Sequence, residues 1–169
     1  MLAGADLTKI AEDQRIVSQL DDAIERFVER MHRAQMGKTT SERLAWALRV
    51  LRYQQTASEQ AFAASQLEPW LAATGSGLAL AQGGFVEHAQ ALFDLCDPQQ
   101  GAPSSGMVAL ALDAVEQSYQ SLKAALLTAG ADGQLPMDAM EQSLRRYSAL
   151  RRAAQQQAKA VRGYDAALG

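Results

Sequence analysis

The sequence predicts an all-α protein, folded as an antiparallel bundle of about five helices. Three observations lead there. Alanine is about a fifth of the 169 residues, and Leu, Gln, Arg and Glu supply much of the rest. Those side chains lose little on entering a helix. Val, Ile and Thr together make up only about a tenth, which leaves strands little to pack with. Finally, apolar residues recur at three- and four-residue spacing over long stretches, and short segments rich in Gly, Pro and Ser separate the stretches.

The first helix is predicted from Leu7 to Gln35. Ile10, Val17, Ile24 and Met31 repeat every seven residues, with Leu20 and Phe27 at the alternate seam position. Met36-Gly37-Lys38 is read as its glycine-capped end. Thr39-Thr40-Ser41 offers N-cap hydroxyls for a second helix, Glu42 to Leu71. Its stripe is Leu44, Leu48, Leu51 and Phe62, flanked by Trp46, Val50, Tyr53 and Ala57, and Pro69 falls near its end. A third helix, Leu78 to Leu95, is predicted to be interrupted at Gly83-Gly84, and residues 97–106 form the longest loop signal. The fourth spans Met107 to Thr128, with Leu110, Ala114, Tyr119, Leu122 and Leu126 as buried candidates. Pro136 suits the start of the fifth, Met137 to Tyr164. Its seam is Met137, Met140, Leu144, Tyr147, Ala154, Ala158 and Val161, and Arg151 occupies the same series. Helices with seams this long are expected to cross at about +20°.

Composition excludes several function classes. Sixteen basic residues against 19 acidic ones give a net charge of −3, so there is no overall basic footprint for nucleic acid. Aromatics, at 6%, are too few for a base-stacking platform. Cys96 is alone, so neither an internal disulfide nor a CxxC zinc pair is available. The first twenty residues carry Asp6, Glu12, Asp13 and Arg15 and do not read as a secretory leader. No run approaches the ~20 apolar residues that cross a bilayer.

Catalytic motifs are equally scarce. GxSxG, GxxxxGK[ST] and GxGxxG are absent. Asp94 and Asp97 beside Cys96 are expected to raise its pKa and oppose activation. Glu29 and His32 match one ExxH of a ferritin-like metal site, which needs a second such motif and further carboxylates. A ferritin-like reading, as enzyme or carrier, would draw on Glu25, Glu29, His32 and Glu59. No catalytic residue, metal or cofactor is assigned.

Polar residues on apolar stripes hold more information. Gln55 and Glu59 share a face of the second helix. Arg145, Arg146, Arg151, Arg152, Lys159 and Arg162 make the last helix basic, which suits an acidic protein patch or anionic lipid.

One resemblance emerges from the helices. Leu20-Asp21-Asp22-Ala23-Ile24-Glu25-Arg26-Phe27, a glycine-ended turn, and the segment from Leu48 to Ala61 resemble one repeat of the PhoU family, in which a helix of type LDxxIxxL precedes one carrying RYLERIGDHA. Leu144 to Ala154 is similar to the same segment of a second repeat. The likeness is strongest to the cytoplasmic C-terminal PhoU-like domain of bacterial sodium/phosphate cotransporters. It implies two three-helix repeats forming one compact domain, residues 1–74 and 75–169, the first lacking its opening helix as in a piece of a longer protein. It also implies a non-enzymatic regulator of phosphate transport at the cytoplasmic face of the membrane. The partner implied is a membrane-embedded phosphate transporter, expected in the same polypeptide, and a second copy of the chain is the other candidate. A generic dimerisation bundle is the remaining alternative.

The family's acidic ExxxD pair falls on Gln55 and Glu59, and the last helix has no acid between Glu141 and Asp165. Hard cations want several charged oxygens, so family-type metal clusters are not expected. Arg151 is expected to pair instead with Glu59 or with an acid of the first helix. Arg145, Arg146, Arg152, Lys159 and Arg162 are the docking candidates.

Overall fold

In the computed structural model the helices are α1 (Leu2–His32), α2 (Lys38–Ser65), α3 (Gly77–Leu95), α4 (Ser105–Ala131) and α5 (Met137–Leu168), with one 3-10 turn at Pro98–Gln100. The structure describes residues 2–32, 37–67 and 76–168, and side chains over 11–20, 22–30, 37–67 and 76–163. The described residues contain no strand. The all-α bundle of five helices is the observed architecture.

Helix ends follow local chemistry. The Ser76 hydroxyl accepts from Ala79 N–H at 3.1 Å to start α3, and Ser104 accepts from Met107 N–H at 3.3 Å to start α4. The Thr39-Thr40-Ser41 hydroxyls do not cap α2. That helix starts earlier, at Lys38, after an extended Gly37, and Ser41 donates back to the Gly37 carbonyl at 3.3 Å. Gly37 thus precedes α2 with a negative φ, and residues 33–36, where the predicted end of α1 falls, lie outside the described residues. Pro69 and Gly75 lie outside the described residues. At the end of α4, Gly133 takes φ +69, while Gln134 N–H returns to Ala129 at 2.9 Å and Gly133 N–H to Gly130 at 3.2 Å. This is a Schellman ending, which favours glycine because it has no Cβ to strain. Gly83-Gly84 does not interrupt α3. Buried Phe85, Ala89 and Leu92 follow it directly, and tertiary packing of that face outweighs the glycines' low propensity.

α1 and α2 run antiparallel, as do α2 and α5 and α4 and α5. Ser58 on α2 donates to Gln14 on α1, and Arg146 of α5 reaches Ala64 of α2 while Gly163 abuts Trp46. α5 is the hub: α2, α3 and α4 all pack on it, and α1 packs on α2. Two different seams run along α5. One joins the core of α3 and α4, in which Phe85, Leu92, Val108, Val115, Leu122 and Leu126 are fully buried. Each contributes roughly 1.5–3 kcal/mol through burial. Phe85 meets Tyr119 and Tyr147 edge-on, with centroids 6.0 and 5.5 Å apart. Leu110, read above as buried, is 73% exposed, and Val108 and Val115 fill the core in its place. Met137 is likewise exposed.

The other seam is made of small residues. Ala149, Ala153 and Ala160 are buried yet stand apart from the α3–α4 core, and α2, which packs on α5, carries Val50, Ala57 and Ala64 at seven-residue spacing, the last two buried. Alanine on both sides lets two long helices approach closely, and this is the most extensive helix contact among the described residues. A Cβ on Gly163 would stand 3.3 Å from Trp46 and Val50, so glycine lets the indole lie against α5.

Candidate functional site

Arg151 makes a polar cluster, though with a partner other than those expected. Its Nη1 donates to Glu116 Oε1 at 2.7 Å, and Gln155 Nε2 donates to Glu116 Oε2 at 3.2 Å. The guanidinium lies 4.5 Å from the Tyr119 ring centroid. Glu59 is exposed and is not the partner, and neither is an acid of α1. The reason is geometric. Arg151 stands on the α4 side of α5, whereas α2 occupies the opposite alanine side. Gln55 is half-buried on α2. A sequence signal for Glu116 existed, since it sits one residue after Val115 and one turn before Tyr119, both buried. Arg151 Nε is buried without a partner, as is Ser143 Oγ.

The basic residues of α5 separate into two groups. Arg145, Arg152 and Lys159 recur every seven residues and form one exposed stripe, with Arg162 close by. Arg145 pairs with Glu141 at 3.3 Å. Arg146, by contrast, is engaged within the fold: its Nη1 donates to the Ala64 carbonyl at 3.0 Å and to the Leu67 carbonyl, closing the C-terminal end of α2. A cation is favoured there by the helix dipole. Lys159 and Arg162 line a cleft of about 330 Å³ with Arg49, Trp46 and Tyr53 of α2. Sequence reasoning missed Arg49, because nothing local marks it as facing α5.

A third feature is apolar. Among the described residues α1 makes its extensive packing on α2, and Ile16, Leu20 and Phe27 are 45%, 55% and 49% exposed. Beside them an open groove of about 600 Å³ runs between the two helices, walled by Ile24, Phe27, Val28, Leu44, Leu48 and Leu51. Half of the predicted heptad seam of α1 therefore faces outward: Val17 and Ile24 are half-buried, Leu20 and Phe27 are not. The Ile10 and Met31 side chains lie outside the described residues.

For the ferritin-like alternative, Glu25, Glu29 and Glu59 are all exposed, and the His32 side chain lies outside the described residues. Among the described residues no three His, Cys, Asp or Glu side chains converge as a metal site would require. No described helix is long and apolar enough to cross a membrane. The Cys96 thiol is held above its usual pKa, but by burial and not by the flanking aspartates. No family model, curated protein or solved structure matches the chain.

Proposed function

We propose that this chain is a non-enzymatic regulatory domain that docks onto a membrane-embedded phosphate transporter at the cytoplasmic face and shifts its conformational equilibrium. The observation that carries the docking is the open α1–α2 groove with its exposed apolar rim. α3, α4 and α5 enclose a shared core, whereas the described residues that line the groove all come from α1 and α2. The occupant that fits is an amphipathic helix of the transporter, laid into the groove by its apolar face. Contiguous exposed apolar surface of this kind is uncommon on chains that act alone. Arg145 and Arg152, on the exposed stripe of α5, steer the domain toward an anionic inner surface. The phosphate-specific part of the reading draws on the PhoU-like segments around Leu20 and Leu48 and after Leu144.

A docking module alters transport only through unequal affinity for two transporter states. The test is radiolabelled phosphate uptake in cells carrying the wild-type chain or the variant Leu20→Glu/Phe27→Glu. Both side chains are about half exposed, so the fold tolerates the change while the groove acquires a charge at Phe27 and the exposed apolar face of α1 another at Leu20. Altered uptake kinetics in the variant are expected. Unchanged uptake with the variant and with the gene deleted would remove the transporter from the account.

A further inference from the structure

We propose that the cleft between α2 and α5 binds a small phosphoryl-type oxyanion. Its walls carry Arg49, Lys159 and Arg162, and no carboxylate is among the described residues that line it. That composition runs against the chain's own balance, which is net −3. Elsewhere on the surface Arg15 pairs with Glu12 at 4.0 Å and Arg145 with Glu141 at 3.3 Å, while Arg26, Arg30, Arg43, Arg52 and Arg152 have no ion pair among the described residues, so what marks the cleft is the gathering of three cations around one space. None of the three cleft cations has an ion pair among the described residues. Three like charges held together without counter-charge repel one another, and the repulsion is relieved when an anion enters.

Two of the cations are positioned by aromatic rings. Arg49 Cζ lies 5.0 Å from the Trp46 centroid and Lys159 Nζ lies 6.0 Å from that of Tyr53. A ring face orients a cation without using its N–H groups, which stay available for oxygen acceptors. Trp46 is itself seated against Gly163, whose lack of a Cβ gives the indole its place in the cleft. Ser105 completes the lining and is the first residue of α4, so the positive end of that helix dipole adds to the three full charges.

Two guanidinium forks and one ammonium match a tetrahedral, doubly charged oxyanion better than a carboxylate, because each fork can take two oxygens. A space of about 330 Å³ admits phosphate or pyrophosphate with part of its hydration. The phosphoryl group can belong to a free ion or to a lipid headgroup. This inference does not rest on the docking reading, because none of the three cations lines the α1–α2 groove.

The test is isothermal titration of the purified chain with inorganic phosphate and pyrophosphate at low ionic strength, alongside co-sedimentation with phosphatidylglycerol vesicles. Saturable binding is expected, weakened at least about tenfold in Lys159→Gln/Arg162→Gln, since two charge-assisted contacts are lost. Arg15→Gln, on α1 away from the cleft and paired with Glu12, should bind as the wild type does. Binding to vesicles alone, lost in the double variant, assigns the phosphoryl group to a lipid. No saturable binding of any probe, or equal affinity in the double variant, overturns the proposal.

Discussion

Ala153 gives the sharpest test of how the bundle is joined. It is fully buried in the seam where α2 lies on α5. Ala153→Leu adds three carbons, worth about 2.4 kcal/mol of extra burial if the seam could open to receive them. It cannot open cheaply, because Ala57 and Ala64 stand across from α5 at 6% and 1% exposure and the helices are already close. Overpacking of this kind costs about 1–3 kcal/mol and forces backbone movement. The penalty is expected to win, with a net loss of about 2 kcal/mol and a melting temperature lower by about 6 °C. Hydrogen exchange adds the location of the damage. Protection should fall across 38–65 in α2 and persist in 105–131 of α4, because the α3–α4 core meets the opposite side of α5. A uniform loss of protection, or a variant as stable as the wild type, would refute the two-seam description.

Other outcomes follow from the buried polar groups. Arg151→Met should cost less than about 1 kcal/mol, since the change removes an unsatisfied buried Nε along with the Glu116 pair; a double-mutant cycle with Glu116→Gln measures the coupling, which should shrink as salt is added. Ser143→Ala should raise stability by about 1 kcal/mol in denaturant titration, because the hydroxyl is 1% exposed and without a partner. Burial holds the Cys96 thiol and the Tyr147 phenol above their ordinary pKa values, the latter despite opposing effects from Arg146 and a hydrogen bond to Gln82. Both groups thus keep their protons longer in the folded chain than in the unfolded one. Their contribution is fully present below about pH 8.5 and declines as pH climbs above it, first through Cys96 and then, beyond about pH 10, through Tyr147. Alkaline melts should show that decline, and Cys96→Ala should remove its earlier part.

Element type was legible in the sequence wherever a single apolar stripe dominated. All five helices, the 97–106 break and the Met140–Tyr147–Ala154–Ala158 seam follow from periodicity. What periodicity missed has physical causes. Ala149, Ala153 and Ala160 form a second seam, but alanine is also the default surface residue of a helix and carries no signal of its own. Leu20, Phe27 and Leu110 look like core residues, and whether a partner helix covers them is a tertiary matter. Arg146 and Arg151 are both arginines of one helix, and only the packing tells that one closes the end of α2 and the other pairs with α4. The cleft cations come from helices far apart in sequence, so Arg49 could be matched to Lys159 and Arg162 only through the fold.

The most direct measurement is the association of the purified chain with detergent-solubilised phosphate transporter from its own host, followed by surface plasmon resonance. The account expects concentration-dependent capture of the wild-type chain and capture reduced at least about tenfold for Leu20→Glu/Phe27→Glu, with equal thermal stability for the two. Capture of both proteins with the same affinity, or of neither, would contradict it.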